Sequence, residues 1–179
     1  LLQTILLRSL KQAVYSPNNA GHFGLAFDAY VHFTSPIRRY PDLLTHRAIK
    51  AVLKNQRYEG VDWEGLGQHC SETERRADDA SRDVEAWLKC NYMRGHVGET
   101  FSGTITGVVP FGLFVTLDDY FVDGLVHISE LGRDYFQYDA AHHTLLGERT
   151  GKRFRLADRM AVKLVRVDVD QRKIDLVPA

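Results

Sequence analysis

The hydrophobic period changes once along this chain, and that change limits what the chain can fold into. Up to about residue 94, apart from a break at 16–21 and a mixed stretch over 22–33, apolar side chains recur at three- and four-residue intervals, and from about residue 99 they alternate. Trp63, Leu66, Cys70, Ala77, Ala80, Val84, Trp87 and Leu88 form one stripe, which predicts a long helix over roughly 63–94. Glu72→Arg76 and Glu85→Lys89 on its charged face stand in the favourable i,i+4 order. Beyond the change, short β-prone runs are separated by turn residues: 101–107, 111–117, 124–128, 153–156, 160–169 and 173–177. The chain therefore reads as α+β in two domains, a mainly helical one over 1–96 and a β domain over 97–179. Five or so strands, with a longer excursion after the third, fit a five-stranded Greek-key barrel of the OB type.

The helical half opens on an amphipathic pattern, Leu1–Arg8 continuing through Leu10 to Val14, which Ser16-Pro17-Asn18 breaks. This start has the look of the middle of a helix rather than of a signal peptide, so the chain is expected to begin inside a longer protein. Further on, Ser35 suits a helix N-cap and Pro36 the first helical position, giving a turn of helix that carries Arg38. Pro41 should restart or kink that helix, with Leu43, Leu44, Ala48, Val52 and Leu53 as its buried face. Asp42, four residues from both Arg38 and His46, can orient either one.

Formal net charge is zero, yet residues 1–57 hold eight Lys/Arg against only Asp28 and Asp42. Such a block can serve as a phosphate footprint within a neutral chain. Cys70 and Cys90 fall on one predicted helix, roughly 30 Å apart at ~1.5 Å per residue, so they cannot pair. They read as reduced thiols of a cytoplasmic protein without zinc-ligand neighbours. No apolar run is long enough to cross a bilayer, and no membrane partner is expected.

The strongest motif is Phe33-Thr34-Ser35-Pro36-Ile37-Arg38-Arg39-Tyr40-Pro41-Asp42-Leu43, continuing to His46-Arg47. Two adjacent guanidiniums at a helix start suit bound phosphates, because each presents a planar fork of donors. This string resembles the signature of the ribonuclease II/ribonuclease R family. Arg39, Pro41 and Ser81 place the resemblance on the ribonuclease R branch, and Asp78–Leu88 is similar to that family's late helix. The resemblance implies the end of a catalytic RNB domain in a processive, hydrolytic 3′→5′ exoribonuclease that releases nucleoside 5′-monophosphates. Arg38 matches the residue that contacts phosphate near the cleavage point, with Arg39, Ser35 and Tyr40 as further phosphate-binding candidates.

That family's reaction centre is a set of closely spaced aspartates holding Mg²⁺, upstream of the arginine motif and outside this chain. Asp78-Asp79 and Asp118-Asp119 are the only adjacent carboxylate pairs, and both read as exposed. Ser35, Asp42 and His46 do not make a nucleophilic triad, since no oxyanion donors accompany them. No metal site is therefore expected within this chain, and alone it is expected to be inactive. The alternative is a stand-alone module that binds single-stranded RNA without chemistry.

The second motif runs from Phe101-Ser102-Gly103 to Phe111-Gly112-Leu113-Phe114-Val115, then Asp123-Gly124-Leu125-Val126-His127. It resembles the S1-type RNA-binding domain, an OB-fold barrel. The match implies a stacking face of Phe111, Phe114 and His127, with charge from Lys163, Arg166 and Arg172. Gly112, between the two rings, would let a base approach the backbone. Tyr135–Tyr138 and His142-His143 are expected on the surface. Expected partners are the 3′ ends of single-stranded RNA, with structured RNA left open, and the upstream remainder of the enzyme.

Overall fold

In the computed structural model, which describes residues 6, 7 and 9–179, Leu113, Val115 and Leu117 alternate inward along one strand and are wholly buried. That alternation recurs in Val162 and Leu164, and again in Ile174 and Leu176, so five strands share one core. They are β1 (Thr100–Val109), β2 (Gly112–Leu117), β3 (Asp123–His127), β7 (Arg159–Asp168) and β8 (Lys173–Pro178). The barrel closes in the order β1-β2-β3-β8-β7. All neighbours pair antiparallel except β3 with β8, where Leu125 faces Asp175 and Val126 faces Leu176 in parallel. A parallel pair needs a crossover, and the excursion after β3 together with β7 supplies it. Register shifts at Ile105/Gly107 in β1 and at Leu164/Arg166 in β7 mark irregularities of the kind that let strands curve into a barrel. This is the expected OB-type barrel.

The excursion differs from the expectation. Strands β4 (Phe136–Asp139), β5 (Thr144–Gly147) and β6 (Arg153–Arg155) form a separate three-stranded sheet. Residues 153–156 therefore belong to this sheet, not to the barrel. Phe136, Leu145 and Phe154 are buried, the two rings 5.9 Å apart. The stretch 135–138 is thus only partly surface, because Phe136 has a hydrophobic core to join.

Helix α2 (Trp63–Met93) matches its predicted span and is followed by a 3-10 turn, Arg94–His96, whereas α1 (Tyr40–Leu53) begins after the Pro36–Arg38 stretch expected to open it. The packing boundary lies inside α2: described residues up to Ser81 form one compact unit and Arg82–Ala179 the other. The second unit takes in the end of the helix because Cys90 and Met93 are buried in the barrel core. The predicted stripe of α2 is buried only in part: Gly67, Cys70 and Ser71 are covered, whereas Val84, Trp87 and Leu88 are exposed. In α1 only Leu44 and Asp42 are buried, and Val52 and Leu53 face outward. A shared helix face says which side chains could pack together, not that another element covers them. Glu85 pairs with Lys89 at 2.8 Å, but Glu72 accepts from Gln68 rather than meeting Arg76. The expected opening helix, continuing through Leu10 to Val14, stops short: Leu6, Leu7 and Ser9 are helical, but residues 11–16 are not, so the spacing of Leu10 and Val14 does not extend it. Residues 1–5, and Arg8 of the basic block, lie outside the described residues.

Candidate nucleic-acid interface

In the first unit the arginine motif is a turn that leads into α1. Pro36–Arg38 form a turn rather than helix, and the helix begins at Tyr40 with Arg39 as N-cap and Pro41 in its first turn. Ser35 is therefore not the cap: its carbonyl accepts from the Arg38 and Arg39 amides at 3.3 and 3.0 Å. Its own amide donates 2.7 Å to Asp42 Oδ1, which the Arg39 guanidinium also reaches at 2.9 Å. Asp42 is 0% exposed and its Oδ2 has no hydrogen-bond partner among the described residues. His32 lies 3.9 Å from that oxygen. Burial pushes the carboxyl up, but the Ser35 amide, the Arg39 guanidinium and His32 outweigh it and hold Asp42 below the usual carboxylate range.

Asp42 thus grips Arg39 and Ser35, and not Arg38 or His46 as its spacing suggested. His46 instead donates from Nε2 to the Phe33 carbonyl at 2.8 Å and stacks on the Phe33 ring at 4.4 Å. Arg38 is exposed, with no ion-pair or hydrogen-bond partner for its guanidinium among the described residues. Ile37 beside it is 101% exposed, and Tyr40 is exposed as well. The neighbouring arginines have divided the work: one is structural and the other is free. His32 also meets the Tyr15 hydroxyl at 2.8 Å. Burial, followed by the charge of Glu74, pushes that phenol up to about 12. Sequence reasoning missed this Tyr15–His32–Asp42 contact chain, since its members lie far apart in the chain and share no motif.

In the barrel unit, Phe111 and Phe114 are 49% and 37% exposed, with ring centroids 6.2 Å apart and edges to faces. Gly112 between them pairs with His127 on β3, so one strand end collects all three side chains. A Cβ at Gly112 would collide with the Val126 carbonyl oxygen. The glycine is needed for the approach of two strands, rather than for that of a base. His127 is exposed, and its Nδ1 lies 2.8 Å from the Ser129 hydroxyl. Phe101 instead packs against the core beside His96 and Tyr120.

The three candidate cations are placed differently. Cross-strand partners run Phe114, Leu125, Asp175, Arg166, so Arg166 shares an outward row with the aromatic pair, although its guanidinium meets Asp168 at 3.3 Å. Arg172 is held by Asp83 at 2.6 Å. Lys163 pairs with Thr100, whereas Phe114 pairs with Gly107, so they sit at opposite ends of β1. Registry of this kind is not visible in a list of basic residues.

No group of three or more His, Cys, Asp or Glu side chains able to hold a metal ion occurs among the described residues. Asp78 and Asp79 lie exposed on α2, while Asp118 accepts from Thr104 at 2.9 Å and faces Arg159 at 3.4 Å. Neither pair fits a catalytic Mg²⁺, which needs several oxygens converging on one point. Among the described residues no helix is long and apolar enough to cross a membrane.

A braced arginine turn leading into a helix, followed by an OB barrel with exposed aromatics, is an architecture of RNA-binding proteins, and comparison with known families agrees. Residues 1–55 match the RNB domain and residues 96–177 the S1 RNA binding domain. Curated relatives include ribonuclease R of Escherichia coli, 54% identical over 98% of this chain and 23% of its own length. Ribonuclease R of Vibrio cholerae is 52% identical with the same coverage. Among solved structures, the apo form of Mycoplasma genitalium RNase R is 31% identical with a TM-score of 0.85, covering 98% of this chain and 28% of that one. The same enzyme in complex with ribose-methylated single-stranded RNA also gives 0.85. The chain belongs to the ribonuclease R family, and it spans about a quarter of the length of the curated relatives it matches.

Proposed function

We propose that this chain is the carboxyl-terminal, RNA-gripping part of a processive, hydrolytic 3′→5′ exoribonuclease that releases nucleoside 5′-monophosphates. The observation that carries the reading is the division between the two arginines. Arg39 is tied to buried Asp42, while Arg38 points outward on a braced turn with no partner for its guanidinium among the described residues. A guanidinium held there can take a phosphate near the scissile bond, with Tyr40 and the Ser35–Arg38 turn beside it; Arg39 acts by holding that turn. Phe111, Phe114 and His127 would stack single-stranded bases, and Arg166 would face the backbone. Stacking of this kind tolerates any base, as a processive enzyme needs. Mg²⁺ would be bound by carboxylates elsewhere in the longer protein, where it activates water and steadies the leaving oxygen. The exposed Val52, Leu53 and Ile37 support the reading that more protein covers this unit in the complete enzyme.

Structured RNA is a second substrate class. The Mycoplasma genitalium RNase R complex with double-stranded RNA supports it, at TM-score 0.68 and 27% identity. Incubating this chain with labelled oligo(A) and Mg²⁺ tests the assignment: it should bind and release no monophosphate. Monophosphate release from the chain by itself would contradict the reading, as would failure to bind RNA.

A further inference from the structure

The sheet β4–β6 and its flanking loops carry chemistry that the barrel face does not use. Residues 133–159 hold six Arg/Lys and four Asp/Glu. Each carboxylate is engaged within the fold. Asp134 accepts from the amides of Tyr135 and Arg149 at 2.8 and 3.1 Å, and from the amide and hydroxyl of Thr150. Asp139 is held by His142 and two amides, Glu148 by Gln137 at 2.6 Å, and Asp158 by Arg155. Of the cations, Arg155 and Arg159 face carboxylates, at 3.3 and 3.4 Å. Arg133, Arg149, Lys152 and Arg153 are exposed and have no carboxylate partner among the described residues.

Asp134 is the brace of this surface. The Thr150 hydroxyl holds its carboxyl down to about 2, against burial and with help from three amides. It pins the Arg133–Tyr135 loop to the Glu148–Thr150 loop, and the Arg149 guanidinium donates to the Arg133 carbonyl. The cleft between the loops is lined by Arg133, Tyr135, Glu148 and Arg149, and the Tyr135 ring is 69% exposed. One 3-10 turn, Ile128–Leu131, separates this cleft along the chain from His127 at the end of the barrel's aromatic face. An exposed aromatic ring on a braced backbone, among guanidiniums without carboxylate partners in the described residues, suits a nucleobase with its phosphates.

We infer that the insertion is a second RNA-contact surface, with Tyr135 stacking a base and Arg133, Arg149, Lys152 and Arg153 contacting phosphates. The inference rests on the RNA-binding reading above and adds a place to it.

The test is the salt dependence of oligo(A) affinity for the whole chain. Replacing the four cations by glutamine (Arg133→Gln, Arg149→Gln, Lys152→Gln, Arg153→Gln) should make the log Kd against log salt slope shallower by roughly 3, at ~0.7 per single-strand phosphate. Affinity at low salt should fall at least about tenfold, and Arg→Lys at the three arginines should keep the slope. Tyr135→Ala should weaken binding about fivefold or more with the slope unchanged. Photocrosslinking of the unaltered chain gives a readout independent of variant folding, and should label peptides within 133–153. A slope unchanged by the fourfold variant, or label confined to the barrel strands, overturns the inference while leaving barrel binding intact. Absence of any oligo(A) binding by the unaltered chain overturns the RNA reading and this inference together.

Discussion

Arg38 and Arg39 are neighbours of identical chemistry, yet the fold gives them opposite duties. Arg39 closes an ion pair with a carboxylate that has no exposed surface. Removing it leaves a buried charge uncompensated. Arg39→Ala should therefore cost about 2–3 kcal/mol in a denaturant melt, somewhat under the value for a fully buried pair because the guanidinium is partly solvated. The Asp42 carboxyl is held below its ordinary range, so it binds fewer protons folded than unfolded near that range. Its contribution to stability is complete above about pH 4 and is lost as pH falls through the folded value. Asp42→Asn should thus melt earlier than the unaltered protein at pH 6, and the gap should narrow towards pH 2. A gap that stays constant over this range would show that the carboxylate is not the brace described. The motif itself was legible in the sequence, but the division of labour was not. Spacing alone allowed Asp42 to reach Arg38 or His46, and only the turn at Pro36–Arg38 brings Arg39 to it instead.

At the scale of elements, α2 and the barrel strands were readable because each repeats its pattern long enough to reveal a period. The sheet β4–β6 was not. Strands of three or four residues give at most two inward positions, and Phe136, Leu145 and Phe154 find each other only through tertiary pairing. The stripe on α2 failed for a different reason, since periodicity says nothing of whether a partner exists. This yields a contrast that a melt can check. Met93, with no exposed surface in the barrel core, should cost about 2–4 kcal/mol as Met93→Ala. Val84→Ala on the exposed part of the same helix should stay within about 0.5 kcal/mol. Equal losses at both positions would mean that the helix is covered along its whole length.

For the molecule as a whole, a net charge of zero conceals a basic block within residues 1–57 and a barrel with two exposed phenylalanines. On the proposed reading these are two complementary ways of holding a polynucleotide: one would supply phosphate contact and the other base stacking. Phe111→Ala with Phe114→Ala should weaken single-stranded RNA binding by more than ~1 kcal/mol in a titration, since both rings are exposed rather than core. The central claim concerns Arg38, and the most direct measurement is turnover of labelled oligo(A) by the longer enzyme that carries this segment, with and without Arg38→Ala. The account predicts a loss on the order of a hundredfold or more, with the melting temperature unchanged. Turnover within about twofold of the unaltered enzyme would contradict it.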